Sequence, residues 1–595
     1  MLVGRKSQIP RFSLPPLMRP AAARFDLLPC FPCPSVRNPD PESGCCQFVL
    51  PNAIRGHEPQ RRQPREESTV AYYKGLRDLV EALDQKGKLV RVKAPIVKET
   101  ELMPLARLQF RGLPEKERKG FLFENVVGVK GRRYDATVAV GALAGSQQIY
   151  ALGLQCEVEQ INERWAQAQL HPIPPVTVGD APCHEEVHMG AELEEVGLDA
   201  LPVPVNTPGF SGTIRTTASH VITKDIETGI QNCGCYGGKF LANSIIGLAV
   251  APVHHGSIHW MKCRERGIPM QAAIVVGAPP NVAYTSVTDL PYGTDEFSVA
   301  GGLAGEPLEM VRAKTVDLEV PAHAEIVIEG EVSIERRVGA ASFGEFTGYM
   351  CSGSGSRDYH FKVTCITHRR RPMYSVFLSQ MPPSESSKVV QIGMEAAYYK
   401  HLRYDCNLSG ILEVVFPEYS GGRMMCIIRM KKRNPSDVWQ ALTAANGFSA
   451  GRAKIIVAVD EDIDPRDPES VNWAIVFRMQ PHRDLHVLRG RSGGLDYSSY
   501  PPGAPLEERR FPDTLGASSL LIDATLNWPY PPTALPKKEY MDRALELWGE
   551  LNLGPLTLRK PWYGYSLGCW TEEDEENADL IVKGDYQVVG KKLIK

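Results

Sequence analysis

The chain has 595 residues, of which 43% are hydrophobic and 23% are charged, a composition typical of globular proteins with a large buried core. Its 67 Lys and Arg residues nearly balance its 70 Asp and Glu residues, and the net charge of -3 argues against nucleic acid or an anionic membrane surface as the main partner. The longest apolar stretch, residues 245–253, is about half the length of a membrane span, so we predict no transmembrane helix.

The first 66 residues differ in character from the rest of the chain. They are rich in Pro and Arg, show no hydrophobic periodicity, and contain no acidic residue before Asp26. Acidic-poor, Arg-containing N-termini are typical of organelle transit peptides, and a disordered extension is the alternative. We predict that residues 1–66 are a disordered or targeting extension of a cytoplasmic protein, or of a mitochondrial one if the segment is a transit peptide.

A globular pattern begins near Tyr72. Apolar residues then recur at spacings of three and four, which predicts an amphipathic helix; they are Leu76, Leu79, Val80 and Leu83. Residues 88–92 have the pattern of a strand, and helices mix with short strands up to about residue 190. We therefore predict an N-terminal α/β domain over residues 67–195.

Two further regions follow, and no internal repeat is present. Residues 196–386 contain short β-rich runs bounded by turn residues, which predicts a barrel or sandwich; the clearest runs are residues 220–223, 245–250, 273–276, 325–329 and 360–364. Residues 387–595 open with a helical stretch to about residue 403 and then alternate strand, helix and strand, with one helix beginning at Asn434. This alternation predicts a linker helix and a C-terminal α/β domain.

Several polar residues in the β-rich region could together bind a metal ion. They are Asn232, His254 with His255, His259, Asp295 with Glu296, and Glu345. Amide oxygen, imidazole nitrogen and carboxylate oxygen are ligands that suit Mg²⁺ or Mn²⁺. Spacing alone does not separate this interpretation from solvated or capping roles at strand ends.

Motifs that include these residues carry a family resemblance. They are residues 222–234 (ITKDIETGIQNCG), 254–259 (HHGSIH), 293–297 (GTDEF), 343–349 (FGEFTGY), 381–385 (MPPSE) and 454–464 (KIIVAVDEDID). From about residue 72 to about residue 570 the sequence resembles the UbiD-type family of prenylated-FMN-dependent decarboxylases, which includes ferulic acid and protocatechuate decarboxylases. The resemblance implies an N-terminal α/β region, a central split β-barrel of flavin-reductase type, and a C-terminal α/β domain used in oligomerisation.

The resemblance also implies the ligands of the cofactor. Mn²⁺ (or Mg²⁺) would be held by Asn232, His254 and Glu296, and together with a K⁺ it would anchor the phosphate of prenylated FMN. Thr216 and Ser286 match positions that line the flavin. On a protein of nearly neutral charge, bound cations can neutralise the two negative charges of a phosphate group.

Glu345 matches the family's acid, which donates the proton that replaces CO₂. A glutamate that donates a proton at neutral pH needs an apolar setting or a nearby like charge to raise its pKa. Phe343, Phe346 and Tyr349 stand close to Glu345 in the sequence and could form that apolar setting.

Two positions depart from the family pattern. The family usually has an Arg five residues after the metal-binding Asn, where it pairs with the substrate carboxylate and orients the acid; this chain has Gly237 there. Many members carry a second acid five residues before the first, and this chain has Ala340. Lys239 is close in sequence, but a Lys point charge cannot form the two parallel hydrogen bonds of a guanidinium group.

We therefore predict a non-oxidative, reversible decarboxylase, that is, a carboxy-lyase, of an aromatic or α,β-unsaturated carboxylic acid. The cofactor would be the electron sink for the departing CO₂, and a flavin prenyltransferase would supply it. The expected assembly is a homodimer or a larger homo-oligomer, with no nucleic-acid or membrane partner. Because of Gly237 and Ala340, two alternatives stay open: a cofactor-binding homologue with altered chemistry, or a non-catalytic partner subunit.

Overall fold

The computed structural model describes residues 72–250, 254–351, 357–449, 451–491, 495–499, 501, 504 and 516–594. The extension predicted for residues 1–66 lies outside this part of the chain, and the cytoplasmic or mitochondrial location stays a prediction. Residues 68–595 form one compact unit. Among the described residues, none of the helices combines the length and the apolar composition needed to cross a bilayer.

The strands are numbered in chain order. They are β1 Leu89–Val92, β2 Ile96–Val97, β3 Gly120–Phe123, β4 Val126–Val127, β5 Thr137–Val140, β6 Val176–Thr177, β7 Glu186–Met189, β8 Ser219–Lys224, β9 Gln231–Cys235, β10 Gly237–Ala242, β11 Ile245–Ala249, β12 Met270–Val276, β13 Glu309–Arg312, β14 Glu319–Pro321, β15 Ile326–Gly339, β16 Phe343–Gly344, β17 Met350–Cys351, β18 Arg357–His368, β19 Met373–Val376, β20 Ile411–Val415, β21 Met425–Met430, β22 Ile455–Asp460, β23 Leu485–Arg491 and β24 Ala517–Ala524.

The α-helices are numbered in the same way. They are α1 Leu76–Gln85, α2 Leu102–Gly112, α3 Gln147–Gly153, α4 Ile161–Leu170, α5 Ala191–Glu195, α6 His255–Glu265, α7 Pro280–Thr285, α8 Glu296–Ala304, α9 Glu385–Lys400, α10 Pro435–Phe448, α11 Pro468–Arg478, α12 Pro481–Asp484, α13 Lys538–Glu550, α14 Glu572–Val582 and α15 Tyr586–Leu593.

The predicted helices are confirmed. Helix α1 buries the four apolar residues whose spacing predicted it. Helix α10 begins after Asn434, whose side chain caps the helix by accepting a hydrogen bond from the backbone N–H of Ser436. The predicted linker helix is α9, which is buried along most of its length.

The described residues form six sheets, of which three have four or more strands. A four-stranded sheet has the order β1-β3-β5-β19, and a five-stranded sheet near the C-terminus has the order β20-β21-β22-β24-β23. The largest is an eight-stranded antiparallel sheet with the order β10-β11-β18-β15-β12-β8-β9, in which β7 also pairs with β18. The mixed α/β fold is therefore confirmed. The domain boundaries stay a prediction. Two strand pairs cross the boundary predicted between residues 195 and 196: β7 pairs with β18, and β19 pairs with β5.

The eight-stranded sheet contains all five β-rich runs identified in the sequence. Strand β12 lies between β15 and β8 and is buried over nearly its whole length, which explains its continuous apolar sequence. The long strands β15 and β18 change register twice, and such irregularities bend a sheet. The sheet is curled into a half-barrel, and its closure into the predicted split barrel stays a prediction.

A buried ion pair joins two strands of this sheet. The Lys239 Nζ atom on β10 donates to Asp358 Oδ2 on β18 at 2.6 Å, and the two side chains are 1% and 8% exposed. Lys239, which lies close in sequence to Gly237, is therefore paired within the sheet and does not take the place of an arginine at that position. A buried pair of this kind is costly to break from one side, because the remaining charge has no counter-ion.

We expect Lys239→Met to lower the free energy of unfolding by about 3–5 kcal/mol, since it leaves the Asp358 carboxylate buried and unpaired. The double variant Lys239→Met/Asp358→Leu is the matched control and should be more stable than Lys239→Met, because no charge is then buried. Urea unfolding followed by circular dichroism measures both. Equal stability of the single and double variants would contradict the prediction.

Candidate functional site

The predicted site residues lie where the eight-stranded sheet meets the C-terminal part of the chain. The guanidinium group of Arg423 stacks on the ring of Phe346 at 4.4 Å, next to Glu345. Arg452 forms two hydrogen bonds to Asp289, at 3.1 and 3.2 Å. Both contacts place an arginine of the C-terminal part of the chain beside the central region, and we use the word cleft for the region between the candidate metal ligands and Glu345.

Tyr236 connects two of the predicted metal ligands. Asn232, buried on β9, donates from Nδ2 to the Tyr236 hydroxyl at 3.4 Å. The imidazole ring of His254 stacks on the Tyr236 ring with 5.0 Å between centroids and 15° between planes. Asn232 and His254 therefore contact the same aromatic side chain from different elements.

Glu296 is the first residue of α8 and reaches the same strand. Its Oε2 atom accepts a hydrogen bond from the backbone N–H of Cys233 at 3.1 Å, so the carboxylate lies beside the residue that follows Asn232. Burial raises the pKa of Glu296. A divalent cation at this position would favour the ionised form and offset the cost of burying the charge.

The two adjacent histidines occupy different places. His255 Nδ1 lies 3.6 Å from Glu296 Oε1, within ion-pair distance of that carboxylate. Burial lowers the pKa of His254 to about 4, so its ring is neutral at pH 7, as a metal ligand must be. Among the described residues, no group of three or more His, Cys, Asp or Glu side chains lies close enough together to bind a metal ion. The assignment of Asn232, His254 and Glu296 as ligands therefore stays a prediction.

Thr216 and Ser286 are buried and bonded to the protein. The Thr216 hydroxyl donates to Ser219 Oγ at 2.7 Å and accepts from the Gly238 backbone N–H at 2.9 Å. Ser286 Oγ donates to the Ala283 carbonyl at 2.9 Å and lies 2.6 Å from His220 Nδ1. Both hydroxyl groups are thus held by protein hydrogen bonds, and their predicted contact with the flavin stays a prediction.

His220 is fully buried, and burial lowers its pKa to about 3. Below pH 6.5 the unfolded chain binds a proton at this residue that the folded protein does not bind, so we expect stability to fall by up to about 1.4 kcal/mol per pH unit between pH 6.5 and 3. Urea midpoints across this range should fall less steeply for His220→Gln. The same change at exposed His486 should leave the slope unaltered. An unchanged slope for His220→Gln would contradict the assignment.

The hairpin between β16 and β17 presents Glu345. The Glu345 backbone N–H donates to the Tyr349 carbonyl at 3.2 Å, and the Gly348 N–H donates to the Glu345 carbonyl at 3.0 Å. Gly348 has a φ of +88°, a conformation that favours glycine in this tight turn. Phe346 is buried beside the acid, as expected, but Tyr349 is exposed and contacts Tyr497 instead.

Glu345 has an arginine partner that the sequence did not predict. Arg215 Nη1 donates to Glu345 Oε1 at 3.2 Å, and both side chains are mostly buried. The guanidinium group packs against Gly237: a Cβ atom at residue 237 would lie 2.1 Å from Arg215 Nε. The departure at Gly237 therefore does not leave Glu345 without an arginine. No second carboxylate stands at Ala340, as the sequence indicates.

Sequence reasoning also missed the cations of the C-terminal region. Arg423 is half-buried, burial lowers its pKa to about 10, and its Nε atom has no hydrogen-bond partner among the described residues. Arg452 is paired with Asp289 close by. Unsatisfied arginine donors in a cleft fit an anionic ligand, and a phosphate-bearing cofactor is such a ligand.

Strand β9 connects the two ends of the site. Asn232 belongs to the candidate metal end, whereas Cys235, three residues later, lies within the electrostatic reach of Arg215, Arg423 and Glu345. Three residues of extended strand correspond to about 10 Å. The candidate metal ligand Asn232 and the electrostatic surroundings of Glu345 thus lie along one short strand.

Two family models match the central and C-terminal parts of the chain. Residues 175–382 match the UbiD family description "3-octaprenyl-4-hydroxybenzoate carboxy-lyase Rift-related domain". Residues 389–524 match the description "3-octaprenyl-4-hydroxybenzoate carboxy-lyase C-terminal domain". The first match covers the whole eight-stranded sheet, including β7, and the second covers the five-stranded sheet.

Individual proteins are similar over most of their length. An uncharacterized protein of Archaeoglobus fulgidus is 30% identical over 479 residues, which is 77% of this chain and 92% of that protein. Phenolic acid decarboxylase of Bacillus subtilis is 29% identical over 72% of this chain and 90% of its own length. An evolved dimeric form of the UbiD-class enzyme HmfF from Pelotomaculum thermopropionicum, solved with prFMN, is 28% identical with a TM-score of 0.64, covering 76% of this chain and 95% of that one. The chain therefore belongs to the UbiD family of carboxy-lyases.

Proposed function

We propose that the protein is a non-oxidative, reversible decarboxylase of an aromatic or α,β-unsaturated carboxylic acid, and that it works with prenylated FMN and Mn²⁺. The observation that carries the proposal is the pairing of Glu345 with Arg215 at one end of the cleft. A partly buried carboxyl group beside a guanidinium group offers a group for proton transfer and a cation that binds a carboxylate. The complex of HmfF with prFMN and the name of the Bacillus subtilis relative support the cofactor and the reaction.

The residues present fit the cofactor. Asn232, neutral His254 and Glu296 would hold Mn²⁺ at the phosphate end, with K⁺ beside it, and the unpaired Nε of Arg423 offers a further donor to an anion. Thr216 and Ser286 would form part of the wall along the flavin. When bound, prenylated FMN supplies the electron sink for the departing CO₂.

The chain's own residues would perform the remaining tasks. Arg215 would orient the substrate, and Glu345 would donate its proton to the carbon that loses CO₂. Burial of Phe346 against the Arg423 guanidinium restricts water near the acid. A flavin prenyltransferase would supply the cofactor, and a homodimer or larger homo-oligomer is the assembly that we propose; the dimeric form of HmfF supports it.

The missing second acid favours one alternative. Ala340 offers no carboxylate to relay a proton to Glu345, so a cofactor-binding enzyme with different chemistry is the second candidate. A non-catalytic partner subunit is a third possibility, and it requires neither bound flavin nor metal.

Purification from cells that make prenylated FMN tests the proposal. We expect an ultraviolet–visible spectrum with a flavin-type absorption band and about one Mn²⁺ per chain, the ratio that a single Asn/His/Glu site holds. Purification from cells without the prenyltransferase is the control, and it should yield no prenylated cofactor. Absence of both flavin and Mn²⁺ from the first preparation would contradict the proposed function.

A further inference from the structure

Arg215 fills the space beside Gly237 that a side chain at this position would otherwise occupy. A Cβ atom at residue 237 would lie 2.1 Å from Nε, 2.4 Å from Nη2 and 2.5 Å from Cζ of Arg215. Real Cβ atoms do not approach other atoms this closely, so any larger residue at 237 would displace the guanidinium group. The position of the Arg215 guanidinium group thus depends on residue 237 having no side chain.

Backbone pairing fixes where Arg215 enters the site. Residues on both sides of it bond to β10: the Thr216 N–H donates to the Gly238 carbonyl at 2.9 Å, and the Phe240 N–H donates to the Ile214 carbonyl at 3.2 Å. Arg215 forms an antiparallel bridge with Lys239. The backbone at residue 215 is therefore held against the strand that begins at Gly237.

Two contacts fix the guanidinium group itself. Its Cζ atom lies 4.0 Å from the centroid of the Phe343 ring, and Nη1 donates to Glu345 Oε1. Phe343 and Glu345 belong to the same hairpin, so this hairpin holds Arg215 by stacking and by charge.

Donors of Arg215 are left over after these contacts. The Nε atom is buried without a hydrogen-bond partner, and no acceptor for Nη2 is present in the part of the chain that the structure describes. A buried donor without a partner, such as Nε, is costly, and a ligand carboxylate would supply an acceptor to this guanidinium group. The neighbouring cation Lys239 is already paired with Asp358 and cannot take this part.

We propose that Arg215 binds the substrate carboxylate and positions it beside Glu345. Gly237 makes this possible because it leaves space for the guanidinium group. The proposal rests on the proposed function for the identity of the substrate as a carboxylic acid. Specificity for a carboxylate is thereby assigned to Arg215, which precedes Gly237 by 22 positions in the sequence.

Binding of benzoate and of its uncharged analogue benzamide tests the role of Arg215 without turnover. Calorimetric titration of the purified holoenzyme should show tighter binding of benzoate than of benzamide. Arg215→Gln should weaken benzoate binding about 10- to 150-fold, the range of a charge-assisted hydrogen bond, and leave benzamide binding within about twofold. Arg215→Lys should recover only part of the loss, because its single ammonium group lacks the guanidinium geometry.

Arg132 provides a matched control. It also stacks on an aromatic ring, that of Tyr134, and also pairs with a carboxylate, that of Asp199, but it lies outside the cleft. Arg132→Gln should leave both affinities unchanged. Wild-type protein that does not prefer benzoate, or a preference that survives Arg215→Gln, would overturn the proposal; so would a preference lost in Arg423→Gln but not in Arg215→Gln.

Reciprocal exchange of the two positions tests the role of Gly237. Gly237→Ala should displace the guanidinium group from Glu345 in a crystal structure and reduce the preference for benzoate. The double variant Arg215→Ala/Gly237→Arg should regain part of the benzoate affinity that Arg215→Ala loses. A Gly237→Ala structure with Arg215 unmoved, or a double variant no better than Arg215→Ala, would contradict the proposal.

These experiments separate the two proposals. If Arg215 controls the benzoate preference but no acid is decarboxylated, the proposed function fails and the assignment of Arg215 stands. If acids are decarboxylated but the Arg215 variants keep their preference for benzoate, the proposed function stands and the assignment of Arg215 fails.

Discussion

Glu345→Gln is expected to lower the rate of CO₂ release at least about 100-fold, because a positioned general acid contributes 10²- to 10⁴-fold and an amide has no acidic proton to donate. Gln has the same shape as Glu and can still accept the hydrogen bond from Arg215 Nη1, so the hairpin should keep its conformation. Two readouts apply: release of CO₂ from the substrate, and exchange of solvent deuterium into the product.

The control for this variant is its cofactor content. Flavin absorbance and Mn²⁺ content should equal those of the wild type, since Glu345 lies at the other end of the cleft from Asn232 and Glu296. Glu413→Gln, on β20, removes a carboxylate from another ion-paired position and should retain activity. Turnover of Glu345→Gln at the wild-type rate would remove Glu345 from the mechanism.

Loss of a metal ligand is the second large effect. Asn232→Ala and Glu296→Gln are each expected to weaken Mn²⁺ binding by more than about 100-fold, because even the outer partners of metal ligands contribute 10- to 100-fold. Metal content after dialysis and Mn²⁺ titration followed by electron paramagnetic resonance measure the effect. Loss of Mn²⁺ should also lower flavin retention, since the ion would anchor the phosphate.

The adjacent histidines make this experiment decisive about the ligand set. His254→Gln should lose Mn²⁺, whereas His255→Gln should retain it. His259→Gln is the control, because His259 is buried nearby but bonds to Thr223. Mn²⁺ lost in His255→Gln and retained in His254→Gln would reassign the ligand to His255, which lies against Glu296.

The sequence predicts the local elements better than the contacts between them. Helix α1 was predictable from its spacing, because burial of one helix face imposes a period on the sequence. The five runs of the eight-stranded sheet were predictable as short β-rich runs bounded by turn residues. The entry of β19 into the four-stranded sheet was not predictable, since its partner β5 lies more than 200 residues earlier and nothing local specifies the pairing.

The candidate site illustrates the same limit. The ordered motifs identified Glu345 and the three candidate metal ligands, because each belongs to a short motif. Arg215 was missed, because its contacts with Gly237 and Glu345 depend on the pairing of its segment with β10 and on the return of a distant hairpin. Two signals were available: Gly237 at the expected arginine position, and an arginine directly before Thr216.

Incubation of the cofactor-loaded protein with aromatic and α,β-unsaturated acids tests the central claim most directly. Vanillate, 3,4-dihydroxybenzoate, 4-hydroxybenzoate and cinnamate form a suitable panel, with the corresponding amides as controls. We predict release of CO₂ from at least one acid and from none of the amides, with one solvent deuterium in each product molecule and loss of the reaction in Glu345→Gln. A protein that carries the flavin and Mn²⁺ but releases no CO₂ and exchanges no deuterium with any acid or product would contradict the account.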